Sequence, residues 1–188
     1  MQTELSRNRG FTLIELLMTL AILTVLAMIA VPAFSGLIGR TRGNGASAEL
    51  NNALNMARLS AMSRGTHVVV CPSADQQHCL HDRQWQHGWL VFADLDHDGE
   101  RSADESVVAI AQAQPQGVAI LSTRGRLHVD YRRDGSAGGT NLTLTVCDRG
   151  AGAAGAMSLV INQGGRVRQG TPSAGAAAEC LQVAATAT

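Results

Sequence analysis

The chain changes its hydrophobic rhythm twice. Residues 11–31 are an almost unbroken apolar run, with Glu15 as the one charge. As a helix these 21 residues would reach about 31 Å, enough to cross a bilayer core. Over 47–64 apolar positions return at helical spacing. Leu50, Leu54, Ala57 and Ala61 share a face, while Asn51, Asn52, Asn55 and Arg58 lie elsewhere. Between these stretches Pro32 permits a kink. Gly36, Gly39, Gly43 and Gly45 each weaken a helix by about 1 kcal/mol relative to Ala, so a frayed or extended stretch is expected within 36–46.

After Gly65 the period shortens to two. Short β-rich runs occupy 67–71, 88–93, 107–111, 118–122, 127–131, 142–147 and 158–162. Turn formers separate them, notably Asp134-Gly135 and Gly138-Gly139. The pattern predicts an α+β chain: a long N-terminal helix packed on a largely antiparallel, β-sandwich-like domain. The expected division is 1–10 as a leader, 11–64 as the helix (11–31 membrane-spanning, 32–64 kinked and amphipathic), and 66–183 as the globular β domain. Glycine-rich 150–155 and Pro/Gly/Ser-containing 170–178 read as flexible loops, and 184–188 as a loose tail.

Charge adds a contrast inside the β region. Formal net charge is zero, which removes any global polyelectrolyte argument. Residues 66–117 hold two Arg against eight acids, and 118–188 hold seven Arg against four acids. The middle is acidic and the C-terminal part mildly basic.

Glu15 is the position that constrains function most. A carboxylate near the centre of an apolar span costs about 2.5 kcal/mol or more, less near the interface, so it needs a partner. It follows a short leader with Arg7 and Arg9, in the sequence Gly10-Phe11-Thr12-Leu13-Ile14-Glu15. This arrangement closely resembles the signal of type IV prepilins and type II secretion pseudopilins. The resemblance implies that a prepilin peptidase cuts between Gly10 and Phe11 and N-methylates Phe11. It also implies that Glu15 pairs with the N-terminal amine of a neighbouring subunit, which supplies the missing counter-charge. Pro32 matches a proline often found at the end of the apolar segment in pilins.

The β region carries a narrower likeness. Cys71-Pro72-Ser73, Gly88-Trp89-Leu90-Val91-Phe92, the Asp-rich turn with Glu105, and Gly165-Arg166-Val167-Arg168 resemble the GspH/FimT family of minor pilins and minor pseudopilins. That resemblance implies a structural subunit with no enzymatic activity. It would sit in a bacterial inner membrane by a single pass, β domain in the periplasm, before entering a surface filament with other pilin and minor pilin subunits. The basic leader gives the same orientation. A minor pseudopilin of a type II secretion system is the alternative. Members of the FimT type are implicated in natural transformation, which makes Arg166 and Arg168 candidates for sequence-independent contact with double-stranded DNA. The plainer reading is two exposed arginines on an edge strand.

Two further motifs carry chemistry. Four cysteines suit an oxidising compartment and allow three connectivities. Cys71–Cys79, closing a short polar loop, and Cys147–Cys180, tying the tail to a strand, are the favoured pairs. His78 and His81 flank Cys79, but the paired CxxC spacing of a structural zinc site is missing. Asp94, Asp96, Asp98, Gly99 and Glu105 match the spacing of a twelve-residue calcium loop. The flanks read as strands rather than helices, so a metal-free Asx-type turn is the competing reading. No cofactor other than calcium is suggested, and no Ser, His or Asp stands in a catalytic motif.

Overall fold

The computed structural model describes residues 11–139 and 141–186. It divides into two compact units, Met1–Ser35 and Gly36–Thr188. Helix α1 is assigned without interruption over Leu13–Arg64. In the first unit its apolar side chains, from Leu13 through Val31, are exposed.

The second unit holds two four-stranded antiparallel sheets. The first is ordered β3-β2-β1-β5, from β1 (His67–Pro72), β2 (Trp89–Asp94), β3 (Val107–Ala111) and β5 (Val129–Tyr131). The second is ordered β4-β6-β7-β8, from β4 (Val118–Ser122), β6 (Leu142–Asp148), β7 (Met157–Ile161) and β8 (Val167–Gly170). The period-two pattern sorts side chains by face. Val68, Val70, Trp89 and Val91 of the first sheet join Val118, Ile120, Leu144, Val146 and Leu159 of the second in one main core. Leu50, Leu54, Ala57 and Ala61 of α1 complete it. Each fully buried Leu or Val contributes roughly 1.5–3 kcal/mol, so this shared core dominates the domain.

The outer face of each sheet has its own cover. On the first, Val69, Cys71, Leu90 and Phe92 form a small cluster against Cys79. The Cys71–Cys79 disulfide holds that covering loop. On the second, Ala119, Leu121 and Cys147 meet Ala177, Cys180 and Ala184 of helix α2 (Ala174–Thr186). The Cys147–Cys180 disulfide holds the helix in place.

Four expectations fail. No extended stretch interrupts 36–46; α1 continues through it. The glycines that weaken the helix in isolation let it sit close to the β domain. A Cβ on Gly39 would run into Asp148 Oδ1 and come within 2.5 Å of the Ala151 nitrogen. Residues 174–178 are helix rather than flexible loop, and the tail is not loose from 184, since Ala184 is buried. The Ser173 hydroxyl accepts the Ala176 N–H at 3.3 Å and caps the helix start. The alanine-rich run then propagates it. Finally, β8 is an additional strand on the sheet edge, carrying no apolar alternation that would reveal it.

Candidate functional site

The beginning of α1 is built by Thr12. Its hydroxyl accepts the Glu15 N–H at 3.3 Å, and its carbonyl accepts the Leu16 N–H at 3.1 Å. Glu15 therefore stands in the first helical turn, where the unpaired N–H groups and the helix dipole favour a negative charge. The T-x-x-E spacing of a capping box was available in the sequence as a signal for Thr12. Phe11 and Glu15 are both exposed; Gly10 lies outside the described residues. By length and composition α1 can cross a membrane.

The acidic loop joins β2 to β3. Ligand oxygens of Asp94, Asp96 and Asp98 lie within 4.8 Å of one another. Glu105 is not part of this cluster. Its two oxygens accept the N–H groups of Leu95 at 2.6 Å and Ser102 at 3.0 Å, at a buried position. The Asp94 oxygens accept N–H groups from His97 at 2.8 Å and Gly99 at 3.1 Å. The loop thus closes on its own backbone donors. Burial pushes the Asp94 carboxyl above its usual range, against those two hydrogen bonds, with the neighbouring Glu105 and Asp96 charges adding to the rise. The His67 and His97 rings meet at this loop, tilted by 46° with centroids 4.0 Å apart, and His67 Nδ1 lies 2.9 Å from Asp130 Oδ1.

Arg166, just before the edge strand β8, and Arg168 within it are both exposed. Gly165 before them is buried, with φ +72°. A Cβ there would collide with the Gly135 carbonyl oxygen, which also accepts a 2.8 Å hydrogen bond from Arg58 Nε of α1. The glycine therefore serves packing between two hairpins and α1, while the two arginines face solvent.

Two charged groupings were not evident from sequence, since their members lie far apart in it. Arg42 Nε lies 3.2 Å from Asp148 Oδ2, whose side chain is wholly buried. The angle of that contact is not that of a hydrogen bond. Arg42 Nη1 also donates to the Gln116 carbonyl at 3.1 Å. Asp148 Oδ1 accepts the Gly150 N–H at 2.7 Å and the Ala151 N–H at 3.3 Å. In the second grouping, Arg83 and Arg124 converge on Glu179 of α2, 2.9 and 3.3 Å from the same oxygen.

The family model for the type II transport protein GspH matches residues 46–165, and the prokaryotic N-terminal methylation motif matches 5–31. Two fimbrial proteins of Pseudomonas aeruginosa are 31% and 30% identical over 119 residues, which cover 63% of this chain and 70% of each relative. The type IV minor pilin FimU of Pseudomonas aeruginosa shares the fold, with TM-score 0.57 and 22% identity over 70% of this chain and 90% of that one. The minor pseudopilin EpsH of the Vibrio cholerae type II secretion system shares it with TM-score 0.50 and 13% identity, over 70% and 98%. With a methylation signal opening an apolar helix and a two-sheet domain matched over most of its length, the chain belongs to the GspH family.

Proposed function

We propose that this chain is a minor pilin of a type IV pilus: a non-enzymatic subunit held in the inner membrane by the first part of α1, with its β domain outside, and then drawn into the filament. The carrying observation is the methylation motif over 5–31 on a helix whose apolar side chains are exposed. Such a surface needs lipid or other helices around it. The fimbrial relatives favour the pilus over a secretion pseudopilus. Glu15, near the processed end, is the counter-charge for the amine of a neighbouring Phe11.

The test is Glu15→Ala in cells. The variant should be cleaved after Gly10 and methylated on Phe11, as read by mass spectrometry of the N-terminal peptide, yet be lost from sheared pili. Wild-type chain absent from sheared pili, with secretion failing on gene deletion, would move the assignment to the pseudopilin.

A second role is favoured by the exposure of Arg166 and Arg168 on an open sheet edge. These two side chains fit sequence-independent contact with duplex phosphates in DNA uptake. Replacing both by Ala should weaken DNA binding uniformly across sequences and flatten the salt slope by roughly two contacts at about 0.9 each. DNA uptake should fall while pili still assemble; unchanged affinity rejects these arginines as the contact.

A further inference from the structure

Beside α2, the outer face of the second sheet opens into a groove of 580 Å³. Its floor is polar. Thr145 and Ser158 are cross-strand partners on β6 and β7. Both are more than nine-tenths buried and both line the groove. Among the described residues neither hydroxyl has a hydrogen-bond partner. Neither hydroxyl oxygen is among the fully enclosed unpaired atoms, so both open into the groove and can bond to a group that enters it.

The walls supply positive charge. At one end Arg83 and Arg124 share the single carboxylate of Glu179, leaving an excess of one guanidinium charge. The first turn of α2, with Ser173 and Ala176, also lines the groove and brings the positive end of a 13-residue helix. Arg168 is the cross-strand partner of Val160, a lining residue, and so leaves the sheet on the same face. Among the described residues no aromatic side chain lines the groove, so they offer no stacking platform for a base or a sugar ring. Hydroxyl, guanidinium and helix N–H groups are donors that together suit an acceptor-only, negatively charged group.

We propose that this groove binds a phosphate group, held by Arg83, Arg124 and the hydroxyls of Thr145 and Ser158. Glu179 is then the competitor: it keeps both guanidiniums occupied until phosphate takes its place. The α2 wall lies beyond residues 46–165 matched by the family model, while the four binding side chains lie within it. None of the four binding side chains is Arg166 or Arg168, so substitutions of the two sets can be scored separately.

The experiment is a melting titration of the full chain in non-ionic detergent with inorganic phosphate, at constant ionic strength set by chloride. The wild-type chain should show a saturable rise in melting temperature. Arg124→Ala removes an 81% exposed side chain and Thr145→Val keeps the shape of its residue, so neither threatens the fold. Each should raise the half-saturating phosphate concentration about fivefold or more, the loss of one good donor. Glu179→Gln should lower it by a similar factor, whereas a merely structural Arg–Glu–Arg network predicts no tightening. A rise equalled by chloride alone, or a Glu179→Gln chain that binds phosphate no better than wild type, overturns the proposal.

Discussion

Replacing Gly39 by Ala sets two physical effects against each other, and the structure decides the sign. Helix propensity alone favours the change by about 1 kcal/mol. The new methyl, however, would enter the space of Asp148 Oδ1 and approach the Ala151 nitrogen to 2.5 Å and the Gly150 carbonyl carbon to 2.9 Å. Two of these neighbours are backbone atoms, and Asp148 Oδ1 is held by two backbone N–H groups. Overpacking of this kind costs about 1–3 kcal/mol. It also displaces the Asp148 carboxylate from the Gly150 and Ala151 N–H groups, charged hydrogen bonds worth about 1.5–3 kcal/mol. The net is destabilisation of about 3 kcal/mol. For a chain of this size that lowers the melting temperature by roughly 6–12 °C. Gly45→Ala is the control, because nothing lies within 4 Å of its Cβ. It should raise the melting temperature by roughly 2–4 °C through propensity. Both variants are melted as full chains in non-ionic detergent, with the emission of buried Trp85 and Trp89 as the probe. A Gly39→Ala chain that gains stability like Gly45→Ala would refute the close seating of α1 on the Asp148 loop.

Four further outcomes are expected. Replacing Cys147 and Cys180 by Ser should cost about 4 kcal/mol and replacing Cys71 and Cys79 about 2.5 kcal/mol, from closed-loop lengths set by separations of 33 and 8. The two losses should add in the quadruple variant, as denaturant unfolding can check. Gly165→Ala should lower the melting temperature, through its positive φ and its collision with Gly135, while Arg166→Ala and Arg168→Ala leave it within about 0.5 kcal/mol of wild type. Asp94 has a folded-state pKa above its ordinary 3.8, so its contribution to stability should grow as pH falls through the raised value and level off below 3.8. Melting curves of wild type and Asp94→Asn across that window read the difference. Because Glu105 is already committed to backbone N–H groups, millimolar calcium should leave the melting temperature unchanged; a rise abolished by Asp94→Ala would reinstate the calcium loop.

Seven of the eight strands were legible because each is rich in apolar and β-branched residues, whether buried on both faces as β2 and β4 are or mostly outside the core as β3 is. β8 was not, since Arg168, Gln169 and Gly170 are all exposed and its pairing rests on backbone hydrogen bonds with β7 alone. The glycines of 36–46 misled for a related reason. Propensity describes an isolated helix, whereas Gly39 is buried against a loop more than a hundred residues away in sequence. The 170–178 stretch was read from its Pro, Gly and Ser, although Ser173 before an alanine run is an N-cap signal. The Thr145–Ser158 groove and the Arg42–Asp148 pair could not be foreseen, because cross-strand register and helix seating bring their members together.

The two disulfides also sort the four thiols by layer. Cys71 and Cys79 belong to the outer side of one sheet, Cys147 and Cys180 to the outer side of the other, with the main core in between. A thiol of one pair cannot meet a thiol of the other without a strand passing through packed Trp, Leu and Val side chains. Scrambled isomers are therefore closed to a chain that has already collapsed. Oxidation of the collapsed chain selects one of the three possible connectivities in whichever order the bonds form, and the packed interior itself serves as the proofreader.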